Sequence, residues 1–145
     1  EGRFLFKTVE GDMTLSVRLD SMEDLEQYSK SGLMIRASLD HDSPSLLLSS
    51  FASGEVQFAF RKEKGGTMEG SEAVEFKLPF WMRISRKGSL LVGEASQDGR
   101  AWKKLGEVEI PALSGRALAG PIALSHAQDG LIKIGYSDLK ITVSP

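Results

Sequence analysis

Cysteine is absent from the chain, which removes disulfide staples, thiolate nucleophiles and Cys-based zinc or iron–sulfur sites from consideration. Histidine is scarce: His41 and His126 are the two present. They stand at no ligand spacing, so a zinc centre is not expected. Neither sign of charge is in surplus, since 18 Lys and Arg against 20 Asp and Glu leave a formal charge of -2. A nucleic-acid module usually carries a basic excess or stripe, so no nucleic-acid partner is expected, although a local positive patch stays open. No apolar run approaches the ~20 residues of a membrane-spanning helix, and membrane insertion is not expected. There is no phosphate-binding glycine loop, no metallopeptidase motif and no Ser/His/Asp arrangement that spacing favours.

What the chain has is alternation. Strands are expected at residues 3–9, 13–19, 33–39, 45–50, 55–62, 72–78, 80–87, 90–96, 103–110, 121–126 and 131–143, the last broken near Ser137-Asp138. The separators are turn-formers, among them Asp42-Ser-Pro44, Lys64-Gly-Gly66, Asp98-Gly99 and Asp129-Gly130. The one helix-like piece is Ser21-Met-Glu-Asp-Leu-Glu-Gln-Tyr28, too short for a crossover helix. Many short strands with 15 glycines indicate an all-β antiparallel sandwich or barrel. At 145 residues the expectation is a single domain, residues 1–145, cut from a longer, processed or engineered protein.

Three segments put arginine on the polar side of a strand: Gly32-Leu-Met-Ile-Arg36-Ala-Ser-Leu39, Val56-Gln-Phe-Ala-Phe-Arg61 and Phe80-Trp-Met-Arg83-Ile-Ser-Arg86. Alternation sends Leu33, Ile35, Ala37 and Leu39 toward a core and Met34, Arg36 and Ser38 away from it. Gln57 and Arg61, and then Trp81 and Arg83, are likewise opposed to apolar neighbours. If these strands share a sheet, its open face is a ligand platform of Arg36, Gln57, Arg61, Trp81 and Arg83, with His126 as a further donor. An indole stacks on the apolar side of a pyranose, and guanidiniums donate paired hydrogen bonds to hydroxyls or a carboxylate. The competing reading places the arginines under a covering loop, paired with Glu55, Glu75 or Glu94.

These segments, with Ser96-Gln-Asp-Gly-Arg-Ala-Trp102, Ile122-Ala-Leu-Ser-His126, Gly11-Asp12 and Tyr136-Ser-Asp138-Leu, occur in an order that resembles the concanavalin A-like lectin/glucanase superfamily. Within it they are similar to the bacterial group known as DUF1349. The resemblance implies a jelly-roll β-sandwich of two antiparallel sheets, one concave and one convex. It also implies an extracellular, cell-surface or periplasmic setting as an accessory module that binds a glycan or oligosaccharide beside other domains of its parent chain. The Ser96–Trp102 stretch reads as a structural hairpin: Asp98 accepts turn N–H groups, Gly99 takes the left-handed dihedral and Trp102 folds back.

No cofactor is expected, apart from a structural calcium that Asp138 with Asp12 or Asp20 would hold. Two further functions remain open. One is a structural or adhesion domain closed by a neighbour. The other is a glycoside hydrolase, for which Glu55, Glu75 and Glu94 are loose candidates for the required carboxylate pair.

Overall fold

The computed structural model describes residues 2–23, 30–51, 53–124 and 133–143, with side chains for 4–21, 30–51, 53–124 and 136–143. Among the described residues the strands are β1 (Gly2–Phe4), β2 (Lys7–Val9), β3 (Met13–Glu23), β4 (Lys30–Arg36), β5 (Ser45–Phe51), β6 (Glu55–Arg61), β7 (Glu69–Gly70), β8 (Val74–Glu75), β9 (Phe80–Lys87), β10 (Leu90–Ser96), β11 (Lys103–Glu109), β12 (Ala117–Leu124) and β13 (Lys133–Val143). A 3-10 turn, Pro111–Leu113, separates β11 from β12. No helix among the described residues is long and apolar enough to cross a membrane.

The strands form two antiparallel sheets. One has eight strands, ordered β1-β12-β4-β5-β6-β7, with β2 also on β12 and β8 also on β6. The other has five, ordered β11-β10-β9-β3-β13. The inner faces meet in one core. Leu33, Ile35, Leu46, Leu48, Val56 and Phe58 come from the larger sheet, and Leu15, Val17, Leu19, Phe80, Met82, Ile84 and Leu91 from the smaller. Each such side chain stabilises the fold by about 1.5–3 kcal/mol through burial.

One core contact depends on two glycines. Gly93 and Gly106 are cross-strand partners on β10 and β11. A Cβ at Gly93 would sit 2.4 Å from Phe58 Cδ2, and one at Gly106 would sit 2.3 Å from Phe58 Cδ1. The absence of side chains there makes a slot in the smaller sheet for an aromatic ring from the larger one.

The all-β sandwich agrees with the sequence, and the break expected near Ser137-Asp138 is a register shift between Ser137 and Lys140 with Asp138 at φ 52°. Several expectations need correction. Residues 3–9 form two strands because Leu5 and Phe6 run past Pro121; Leu5 N–H bonds Pro121 O at 3.2 Å, but proline returns no N–H. Residues 21–23 continue β3 instead of starting a helix, and the rest of that stretch lies outside the described residues. β4 ends at Arg36: Ser38 N–H bonds Ser43 Oγ, the chain turns, and Leu39 is exposed instead of entering the core. Residues 72–78 contribute only the short β8.

Candidate functional site

Strand register lays out the outer face of the eight-stranded sheet as rows. Leu118, Arg36, Ser45 and Arg61 form one row across β12, β4, β5 and β6. The next is Gly120, Met34, Leu47 and Ala59, followed by Ile122, Gly32, Ser49 and Gln57. Leu124, Lys30 and Phe51 begin a fourth, where Lys30 Nζ lies 4.9 Å from the Phe51 ring centroid. All these positions alternate with core residues and point away from the other sheet. Even so, Met34, Ser45, Ser49 and Ile122 are buried at 4–7% exposure. The middle of this face is therefore floored by small and apolar groups that solvent scarcely reaches, with a pair of arginines at one end.

Those arginines hold the surrounding loops. Arg36 Nε donates to Ser38 O at 2.5 Å and Nη2 donates to Asp40 O. Arg61 Nε donates to Gly66 O at 2.9 Å, and Nη1 to His41 O at 3.0 Å and Ser43 O at 3.4 Å. Every one of these acceptors is a neutral carbonyl. Burial, and then the neighbouring charge of Arg61, push the Arg36 guanidinium below its ordinary pKa, while Asp40 works in the other direction. Gln57 Nε2 donates to Ser71 O at 3.0 Å and fixes the segment that follows β7.

Trp81 and Arg83 are elsewhere. They lie on β9, in the five-stranded sheet, so the single platform expected from the sequence is divided between opposite sides of the sandwich. On that second face the Arg18 guanidinium stacks 5.1 Å from the Trp81 ring and Arg83 stacks 3.9 Å from the Trp102 ring. Arg83 also pairs with Glu94 at 2.8 and 3.0 Å, and Arg18 with Asp20 at 3.2 Å. The hairpin behaves as its sequence suggests: Asp98 Oδ1 accepts from Arg100 N and Ala101 N at 2.8 and 2.9 Å. Gly99 at φ 79° lies against Trp81, where an added Cβ would be 3.1 Å from Cε2. Both indoles are thus engaged by the protein's own groups. The sequence singled out neither Arg18 nor the Arg83 contact of Trp102, because nothing local shows which aromatic an arginine will meet across a sheet.

His126 lies outside the described residues. The described residues hold no group of three or more His, Cys, Asp or Glu able to bind a metal; Asp12 Oδ1 accepts Gly88 N–H at 2.9 Å. Glu55 and Glu75 are cross-strand partners of β6 and β8, exposed side by side at the margin of the larger sheet, and Glu94 belongs to the other sheet. Arg86, to which the sequence assigns no role in the ligand platform, is buried at 1% exposure. Its Nη1 donates to Leu113 O at 2.7 Å and its Nε and Nη2 to Gly11 O at 3.1 and 2.6 Å. Its even-numbered parity with Phe80, Met82 and Ile84 carried that signal.

No protein-family model and no curated protein sequence matches the chain. Solved structures do. A functionally unknown protein from Saccharomyces cerevisiae is similar over 99% of this chain and 76% of its own, at TM-score 0.79 and 22% identity. The GH43 protein BlXynB from Bacillus licheniformis is similar over 92% of this chain at TM-score 0.69 and 11% identity, and this chain spans 28% of its length. The carbohydrate-binding module CBM66 from Bacillus subtilis is similar over 97% of this chain and 81% of its own, at TM-score 0.57 and 14% identity. At these identities the likeness shows the fold, a concanavalin A-like jelly-roll sandwich of two antiparallel sheets.

Proposed function

We propose that the chain is a non-catalytic carbohydrate-binding module that takes an oligosaccharide on the outer face of its eight-stranded sheet. The observation that carries this reading is the floor on which half-buried Leu47 and Ala59 lie among the buried Met34, Ile122, Ser45 and Ser49, bordered by Arg36, Arg61 and Gln57. Ligand sites combine apolar lining with a few fixed polar groups. A sugar ring presents the matching chemistry, C–H surface on its faces and hydroxyls at its rim. The likeness to a carbohydrate-binding module and the resemblance to the DUF1349 group support it. So does the placement of Glu55 and Glu75 side by side and of Glu94 on the other sheet, which does not set them as a pair across this floor. In this reading the module serves a larger bacterial protein outside the cytoplasm. Trp81, Arg83 and their partners hold the opposite face together and take no ligand.

A second reading draws on the loop contacts of Arg36 and Arg61: they act as fasteners in a structural domain. A glycan array followed by titration calorimetry separates the two. Ala59→Glu, which puts bulk and charge on the floor, should abolish binding, and Gln57→Ala should cost about 1 kcal/mol or more. Trp81→Ala should leave affinity unchanged. Binding lost in Trp81→Ala and retained in Ala59→Glu would move the site to the other face; no bound glycan at all would favour the structural reading.

A further inference from the structure

Arg36 and Arg61 flank Ser45 in one row, as its cross-strand partners on β4 and β6. Two positive side chains thus stand on either side of a single short residue, on the same face. No carboxylate lies within ion-pair distance of either among the described residues. Asp40, whose charge acts on Arg36, is exposed, with Lys64 Nζ 4.0 Å away. This contrasts with the other face, where Arg83 has Glu94 and Arg18 has Asp20.

The bonds already made leave donors over. A guanidinium has five N–H groups. Arg36 spends only Nε and Nη2, and Arg61 only Nε and Nη1, on carbonyls. Arg36 Nη1, Arg61 Nη2 and the Ser45 hydroxyl donate to nothing among the described residues. The loop carbonyls fix both side chains in place, so presenting these donors to a ligand costs little further ordering.

We infer that this row is an anion subsite, and that the oligosaccharide is acidic, with a sugar carboxylate seated above Ser45 between Arg36 and Arg61. The inference rests on the glycan reading and specifies the chemistry of its ligand. Planar guanidiniums match a carboxylate in paired hydrogen bonds. The acid anchors one end of the chain, and neutral rings lie along the floor toward Lys30, about 20 Å away along β4.

The test uses oligogalacturonate, the same oligomer with its carboxyls reduced to alcohols, and free acetate, each titrated into the intact chain. Oligogalacturonate should bind at least about tenfold more tightly than the reduced oligomer, and more weakly as salt is raised. Removing either arginine also loosens a loop, so the decisive variant is Ser45→Asp, which keeps both arginines and supplies a carboxylate from the protein itself. It should raise the melting temperature and abolish the preference for the acidic oligomer. Equal affinity for both oligomers would overturn the acid assignment while the glycan reading stands. Acetate binding as tightly as the oligomer would overturn the glycan assignment, and failure of both oligomers to bind would sink both. A Ser45→Asp protein that melts lower and still prefers the acid would place the anion elsewhere and overturn the subsite.

Discussion

Arg83 and Trp102 lie against each other, the guanidinium carbon 3.9 Å from the ring centroid. Glu94 holds the same guanidinium from the adjacent strand. A stacked and ion-paired arginine of this kind closes the β10–β11 hairpin onto β9. Arg83→Ala should lower folding stability by about 1–2 kcal/mol in urea denaturation, with no change in glycan affinity.

Arg86 ties the turn before β3 to the 3-10 turn after β11 through the carbonyls of Gly11 and Leu113. Removing it takes a donor from the buried Leu113 carbonyl and from Gly11 O and leaves a void beside Leu113. Arg86→Ala should cost about 2–4 kcal/mol in the same assay. Arg86→Lys should recover only part, since one ammonium cannot span both carbonyls in the same geometry.

The slot for Phe58 makes a prediction with an internal control. Gly106→Ala should cost about 1–3 kcal/mol by overpacking. Gly106→Ala combined with Phe58→Leu should fall short of the sum of the single losses, because the collision is then removed.

Tyr136 sits between the sheets, its hydroxyl donating to Ile122 O at 3.1 Å. Burial raises its pKa to about 12, although bonds from Ser31 and Gly32 work the other way. The folded chain therefore keeps this phenol neutral where an unfolded chain, with a pKa of about 10, ionises it. The stabilisation is complete below pH 10 and is lost as pH rises toward 12. Tyr136→Phe should flatten that alkaline loss in thermal melts taken across the window.

Asp98 shifts in the opposite sense. The N–H groups of Ala101 and Arg100, with help from Ser96, hold its carboxyl below the usual carboxylate range. Its contribution is present above the unfolded value of about 3.9 and disappears as pH falls through the lower folded value. Asp98→Ala should lower the melting temperature at pH 7, by an amount that shrinks as pH falls below about 3.9.

Side-chain parity was legible in the sequence almost residue by residue. Met34, Arg36, Gln57, Arg61, Trp81 and Arg83 all turn away from the core as alternation requires. Parity does not say which sheet a strand joins, because apolar-in and polar-out reads the same in both. The chain crosses between β8 and β9, and that crossing sends Trp81 and Arg83 to the far side. Only pairing across long sequence separations, such as Leu15 with Ile84, fixes the assignment. Arg86 was obscured for a related reason: a charged residue at a core parity resembles a strand end until its carbonyl partners, remote in sequence, are seen.

The glycine pair at positions 93 and 106 acts on the opposite surface of the molecule. By receiving Phe58, it works as an index pin for β6. A slip of one residue would withdraw the ring and turn Gln57 and Arg61 inward together. What the eight-stranded sheet displays to its surroundings is thus set partly by missing methyl groups on the other sheet, beneath the display and out of any ligand's reach.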